Sequence, residues 1–251
     1  MATTVETLQY KGFDIEFWAD QDVESPRTFS PFGTIVAHHP RYDLSDRGKG
    51  FSLAALKIGG EAMKREFLQS RIQEAYTDEE IDVLEVEHGI DIQMRGHYEY
   101  WLARTGESTE IMEDLVWRRF VVLPVYIQEH SAVALSTGDP GCYWDSGQVG
   151  YIYISHEEIK DRYSTDRVGK YLSRVKEGLS DAVRRYGRYV NGEGLGYTIR
   201  VSEDADPTLH PESEIPDTPG WIETCGGFLD RDWCEESAKK TVDTHLLQVA
   251  E

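Results

Sequence analysis

The segment that most limits how this chain can fold is its most β-prone stretch, Phe120-Val-Val-Leu-Pro-Val-Tyr-Ile127. Its β-branched and aromatic residues favour a buried, extended strand. Pro124 has no amide hydrogen, so it argues against an unbroken central strand and predicts an edge position or a bulge. A second apolar run, Val149 to Ile154, follows a loop rich in Gly, Ser and Asp. The middle of the chain therefore predicts a sheet.

Helical patterns are mixed with further strand patterns along the rest of the chain. Apolar residues recur at helical spacing between Asp166 and Tyr189, which predicts an amphipathic helix. Other helices are predicted over 53–69, from the capping box Thr77-Asp-Glu-Glu80, and from Asp230 to about His245. Further strands are predicted in a hairpin over 7–18, at 33–37, at 197–201 and at 221–228.

This irregular mixture predicts an α+β fold, with a mainly antiparallel or mixed sheet and several flanking helices. No internal repeat or break in composition divides the sequence, so we expect residues 1–251 to form a single α+β domain with a β-rich part over 1–50. Residues 202–220 are rich in Asp, Glu and Pro and contain no Lys or Arg. They predict a long exposed acidic loop.

Acidic side chains outnumber basic ones by 46 to 26, which gives a formal net charge of -20 at pH 7. Because binding to nucleic acid depends on Lys and Arg that neutralise phosphates, we expect no direct nucleic-acid binding. Glu74 to Asp91 carries eight carboxylates and no Lys or Arg. This run is either a solvated helix face or a phosphate-mimicking surface for a basic host protein.

The sequence also carries information about the cellular compartment of the protein. No stretch approaches the roughly 20 apolar residues of a membrane span, and Met1 to Tyr10 is polar. The three cysteines, Cys142, Cys225 and Cys234, lack metal-ligand spacing. We therefore expect a protein of the reducing host-cell cytoplasm that has no membrane partner.

Reactive and aromatic side chains concentrate in two segments, 38–46 and 128–150, each of which follows a predicted strand. If both strands lie in one sheet, the two segments converge on a pocket. Arg41 with Tyr42 and Trp144 is typical of a site for a planar, anionic, nucleotide-like small molecule. The predicted ligand-binding residues are His39, Arg41, Tyr42, Asp46, His130, Ser131, Trp144, Asp145, Ser146 and Gln148.

Other chemistries in these segments stay open. Cys142 with His130 as its base and Asp145 behind the imidazole would give a small hydrolase-type enzyme. The spacing matches no protease signature, so no catalytic residue or cofactor is assigned and enzymatic activity is left undecided. His39, Asp46, His130 and Asp145 are suitable metal ligands, but their wide spacing favours hydrogen-bonding roles, so we predict no metal site.

Trp144-Asp-Ser-Gly147 also has a purely structural interpretation. In it, Asp145 and Ser146 hydrogen-bond their own turn, Gly147 adopts a positive φ and Trp144 fills the core.

Three stretches carry a resemblance to a known family: FGTIVAHHPRYDLSD (Phe32 to Asp46), LPVYIQEHSAVALST (Leu123 to Thr137) and CYWDSGQVGYIYIS (Cys142 to Ser155). The chain resembles uncharacterised proteins encoded by bacteriophages, plasmids and related mobile elements, and WDSGQVG is the most specific part. The resemblance implies a mobile-element setting but no mechanism. Ala132, Tyr143 and Gly226 depart from the family pattern, in which Gly, Pro and an aromatic residue are expected.

These observations lead to one leading hypothesis and two alternatives. The leading hypothesis is a phage or mobile-element accessory protein that binds a small, nucleotide-like ligand in counter-defence. The first alternative is an acidic DNA-mimic decoy that inhibits a host DNA-binding or restriction protein. The second is the small hydrolase-type enzyme that uses His130 and Asp145.

Overall fold

A computed structural model describes residues 4–28, 31–46, 48, 50–94, 98–103, 106–142, 144–203, 205 and 221–249. The acidic loop predicted over 202–220 lies outside the described residues from 206 onward, as does residue 204.

The described strands are β1 (Thr4–Tyr10), β2 (Phe13–Ala19), β3 (Thr34–Ala37), β4 (Phe120–Glu129), β5 (Val133–Ser136), β6 (Ser146–Ser155), β7 (Leu195–Val201) and β8 (Trp221–Phe228). The described α-helices are α1 (Leu53–Ile58), α2 (Gly60–Ala75), α3 (Asp78–His88), α4 (Tyr98–Ala103), α5 (Glu107–Trp117), α6 (His156–Tyr163), α7 (Leu172–Val190) and α8 (Arg231–Val249). A 3₁₀ turn over Val168–Tyr171 precedes α7.

The predicted α+β fold is confirmed: the strands form two antiparallel four-stranded sheets with flanking helices. The chain divides into two compact units, the described parts of Met1–Thr28 with Arg185–Glu251, and those of Phe29–Arg184. This division has no counterpart in composition, which is why the sequence predicts one domain. The β-rich part predicted over 1–50 is shared between them, because β1 and β2 pair with β7 whereas β3 pairs with β6.

The first unit contains the sheet β1-β2-β7-β8 and helix α8. The predicted hairpin is confirmed, with Lys11 and Gly12 both at positive φ in its turn (51° and 84°), the geometry of a type I′ turn. The alternating residues Phe13, Ile15 and Phe17 are fully buried. They form the core of this unit with Tyr197, Ile199 and the inner face of α8.

The second unit is built on the sheet β3-β6-β4-β5. Pro124 lies in β4 opposite Tyr151 of β6, and β5 pairs with β4 only from Tyr126 to Glu129. The other side of Pro124 therefore faces no described strand, so the edge position expected from the proline is confirmed. Pro124 itself pairs in regular register, and the bulge lies in β6, where Val149 has no partner opposite the Val125–Tyr126 step.

Helices cover both faces of this second sheet. The α1–α5 layer packs on Val36, Phe120 and Tyr153. The helix predicted over 53–69 is wrong as a continuous element, because Gly59 adopts a φ of 113° between α1 and α2. The capping box of Thr77 and Glu80 at α3 is confirmed. No described helix is long and apolar enough to cross a bilayer.

Candidate functional site

The two polar segments singled out by sequence meet at one end of the second sheet. The carboxyl ends of β3 and β4 lie beside the amino end of β6, because Ala37 pairs with Gly150 and Gln128 pairs with Ser146. The Arg41 guanidinium lies 2.6 Å from Glu129 Oε2, and His39 Nε2 lies 3.3 Å from the same oxygen. Glu129, which the sequence analysis did not single out, joins the two segments. We call this group the edge cluster: His39, Arg41, Tyr42, Glu129, His130, Cys142 and Asp145.

The segment after β3 is held largely by its own hydrogen bonds. Asp46 Oδ2 accepts the Ile35 amide at 2.8 Å, and the Asp46 amide donates to the Ile35 carbonyl at 3.0 Å. Ser45 Oγ bonds both the amide and the carbonyl of Ala37. Asp46, predicted as a ligand contact, thus extends the edge of β3. An open depression of about 410 Å³ is lined by this segment.

The rings and charges of the edge cluster are occupied by each other. His39 stacks on Tyr42 with a centroid separation of 5.1 Å, and the Arg41 guanidinium is bound to Glu129. Trp144 is 98% exposed. The planar pocket predicted from Arg41, Tyr42 and Trp144 is therefore not preformed in this arrangement.

Asp145 is the centre of a second group in the edge cluster. Its Oδ2 lies 3.1 Å from His130 Nδ1. A hydrogen bond from the Cys142 side chain, followed by the charge of His130, lowers the pKa of Asp145. A thiol mechanism requires an imidazole that accepts the proton of the thiol. Among the described residues, His130 bonds Asp145 and no hydrogen bond joins it to Cys142.

The structural interpretation of the WDSG stretch is wrong in two details. Trp144 does not fill the core. Gly147 lies in β6 opposite Ile127, and it is not among the residues with positive φ. Ser146 does bond locally, through its hydroxyl to the Cys142 carbonyl, and Ser131 is exposed in the β4–β5 turn.

Gln148 belongs to a different surface, which it shares with Tyr151 because of a bulge in β6. Tyr126 pairs with Gln148 and Pro124 pairs with Tyr151, so residues 148 and 151 share a face despite their odd separation. Gly150 lies within the bulge, where an added Cβ would be 2.1 Å from the Val36 carbonyl oxygen. Only glycine fits there, which explains the last residue of WDSGQVG.

The shared face forms the floor of a cleft of about 600 Å³, and α2 and α5 form its walls. We call it the α2–α5 cleft. Its lining combines aromatic and aliphatic surface with a few polar groups: Gly60, Glu61, Met63, Lys64, Phe67, Leu68, Glu113, Trp117, Val122, Pro124, Tyr126, Gln148, Gly150 and Tyr151. Of the residues predicted as ligand contacts, Gln148 lines this cleft.

The polar groups of the cleft differ in whether they have partners within the protein. Lys64 pairs with Glu113 at 2.6 Å, whereas Glu61 forms no ion pair among the described residues. Burial raises the pKa of Tyr151 to about 12, and a hydrogen bond from Gln148 opposes the shift while Glu61 and Glu113 add to it. The Tyr151 phenol therefore stays protonated at neutral pH and remains a hydrogen-bond donor.

Sequence reasoning missed most of this cleft because its residues come from four separate elements. One signal was present in β4. Along one face of β4 the residues change from apolar to polar: Val122, Pro124, Tyr126 and Gln128. This change is typical of a strand whose far end is no longer covered by packed helices.

Among the described residues, no group of three or more His, Cys, Asp or Glu side chains is arranged to hold a metal ion.

Comparisons with known protein families, curated proteins and solved structures found no match to this chain.

Proposed function

We propose that this protein binds a small molecule in the α2–α5 cleft. The observation that carries the proposal is the composition of the cleft: a concave space of about 600 Å³ with aromatic walls and a few convergent polar groups. Small-molecule sites have this size and composition. Trp117 is 57% exposed and offers an indole surface that packs on little of the protein.

The cleft is a better candidate than the edge cluster because one of its charged groups, Glu61, forms no ion pair among the described residues. In the edge cluster, Arg41 is bound to Glu129 and His130 is bound to Asp145. A ligand there would have to displace these partners, which costs part of its binding energy. The lack of a hydrogen bond between Cys142 and His130 among the described residues also favours a binding protein over a thiol hydrolase.

The resemblance to mobile-element proteins supports a role for this binding in a host cell that carries a phage or plasmid. In that setting, a host defence signal that enters the cleft would be sequestered, and counter-defence would follow from binding alone. The proposal therefore requires no turnover.

A pair of glycine variants tests the cleft directly. Gly60 lines the cleft and Gly169 lies in the 3₁₀ turn; an added Cβ meets no atom within 4 Å at either position. We expect Gly60→Trp to fill the cleft and Gly169→Trp to leave it open. The measurement is native mass spectrometry of the purified protein, followed by a thermal-shift screen of nucleosides, nucleotides and organic amines.

A ligand whose binding is lost in Gly60→Trp, by about 100-fold or more, and kept in Gly169→Trp supports the proposal. A ligand that binds both variants equally well occupies another site and overturns it. So does a protein that shows no bound molecule and no thermal shift across the whole panel.

The acidic decoy remains a second candidate because of the outer face of α3. Val83 and Val86 are 64% and 86% exposed, and Glu79, Asp82 and Glu87 surround them at helical spacing. Exposed apolar side chains within an acidic surface suit a basic protein partner. We propose binding that weakens steeply with salt, is lost when Glu79, Asp82 and Glu87 are replaced by Gln, and is unchanged in His130→Ala. Binding to basic nucleoid or restriction proteins that survives the triple replacement would remove this candidate.

A further inference from the structure

Resting on the proposed function, we infer that the ligand of the α2–α5 cleft is a planar organic cation without a phosphate group. The inference follows from the charges that line the cleft and from the aromatic residues in its lining, and it departs from the nucleotide-like ligand expected from sequence.

The aromatic surface of the cleft suits a flat, positively charged group. Tyr126 and Trp117 line it, and Tyr151 stacks on Phe67 with a centroid separation of 4.4 Å. Because the faces of aromatic rings carry negative potential, they attract cations such as amidinium and guanidinium groups. A flat ligand can place its ring against these side chains and its N–H groups toward the rim.

The charged groups of the cleft have the matching sign. Its lining contains two carboxylates, Glu61 and Glu113, and one ammonium group, Lys64. The ion pair of Lys64 with Glu113 at 2.6 Å leaves the Glu61 carboxylate as the uncompensated charge. Carboxylates accept N–H donors of cations in strong, charge-assisted hydrogen bonds.

The amino end of α2 also reaches the cleft and would by itself favour an anion. Glu61 lies in the first turn of this helix, and the helix end, with about half a positive charge, offsets only part of the charge of this carboxylate. No arginine lines the cleft among the described residues, and Lys64 is engaged. A phosphate group would meet Glu61 and Glu113 without a free cation to neutralise it.

Three isosteric probes separate charge from shape: benzamidine, benzamide and benzoate, which carry one positive charge, no charge and one negative charge on the same ring. We expect calorimetry to show benzamidine binding about tenfold more tightly than benzamide, with benzoate the weakest. AMP should bind more weakly than adenosine. Gly60→Trp should abolish all of this binding.

Two substitutions test the sign of the effect. Glu61→Gln should reduce the preference for benzamidine over benzamide about five- to tenfold. Lys64→Gln frees Glu113 and should increase the same preference. A protein that merely tolerates a benzene ring would not respond to these substitutions in opposite directions.

The outcomes distinguish the inference from the proposed function. Benzoate or AMP binding as tightly as its uncharged counterpart, with sensitivity to Gly60→Trp, overturns the cationic ligand but keeps the cleft as a binding site. Equal affinities for the three probes have the same meaning. If no probe binds and no ligand of the wider screen responds to Gly60→Trp, the binding function fails, and the inference fails with it.

Discussion

The edge cluster and the α2–α5 cleft lie on the same sheet, but they use polar side chains in different ways. The edge cluster comes from two short segments, and its charges pair with each other: Arg41 with Glu129 and His130 with Asp145. The cleft draws on residues between Gly60 and Tyr151 and leaves Glu61 without an ion pair among the described residues. The segments richest in polar residues therefore form the edge cluster, in which the charged groups pair with each other. The carboxylate without an ion pair lies in the α2–α5 cleft, between helices and sheet.

The largest predicted effect is the loss of stability caused by replacing Gly150, which lies in the strand that supports both the edge cluster and the cleft. We expect Gly150→Val to destabilise the second unit by about 3 kcal/mol or more, because a Cβ at this position would lie 2.1 Å from the Val36 carbonyl oxygen and 2.5 Å from Ala37 Cα. The separation of β3 from β6 would disturb the edge cluster and the cleft together. Urea denaturation measures the loss.

Gly147→Ala is the matched control in the same strand. An added Cβ at Gly147 meets no atom within 4 Å, so we expect a change within about 0.5 kcal/mol. A loss for Gly150→Val of less than about 1 kcal/mol would show that β3 can move away from β6 at little cost, and the two regions would then not depend on a common scaffold.

Much of the fold could be predicted from sequence because its signals are local. The Lys11-Gly12 turn, the capping box at Thr77 and the amphipathic pattern of α7 each depend on residues close in the chain. Gly59 shows the limit. Its position inside an apolar pattern does not reveal that its backbone adopts a φ of 113° and divides one predicted helix into two.

The site was less predictable because it depends on strand register. Sequence places Gln148 in the same stretch as Asp145, yet Gln148 lies opposite Tyr126 and lines the cleft while Asp145 bonds His130, and only the bulge after Gln148 brings Tyr151 onto the same face. Glu61 and Trp117 carry no local motif, and they reach the cleft only through the packing of α2 and α5 on the sheet. Long-range pairing of this kind is invisible in the periodicity of any one segment.

The second prediction separates the two regions by ligand affinity. Gln148→Ala should weaken binding of the cleft ligand about tenfold, the cost of losing one hydrogen-bonding side chain from the site. Asp145→Ala removes a polar group of similar size three residues away and should change the affinity less than about twofold. Isothermal titration with benzamidine measures both. A reversed order of the two effects would transfer the binding site to the edge cluster.

The third prediction concerns the stability that the edge cluster supplies. The Arg41 side chain is 66% exposed and that of Glu129 is 23% exposed, so water and salt screen much of their attraction. We expect Arg41→Ala to cost less than about 1 kcal/mol in low salt and almost nothing near 1 M salt. A larger, salt-independent loss in urea denaturation would mean that Arg41 stabilises the loop by packing instead of charge.

The smallest effect should be the pH dependence that Asp145 contributes. Its hydrogen bond from Cys142 and the nearby charge of His130 lower its pKa from the ordinary value of 3.8. A carboxylate whose pKa is lower in the folded state than in the unfolded state stabilises the protein. This stabilisation is complete when the pH is above the unfolded-state pKa, and it is lost as the pH falls through the folded-state pKa. The thermal midpoint of the unmodified protein should therefore exceed that of Asp145→Asn by a small amount at about pH 5, and the difference should shrink as the pH falls below about pH 4. Cys142→Ser keeps a donor beside Asp145 and should retain the same profile. A difference that grows as the pH falls from about 5 to about 3 would instead require the neutral form of Asp145 to be the one that the edge cluster stabilises.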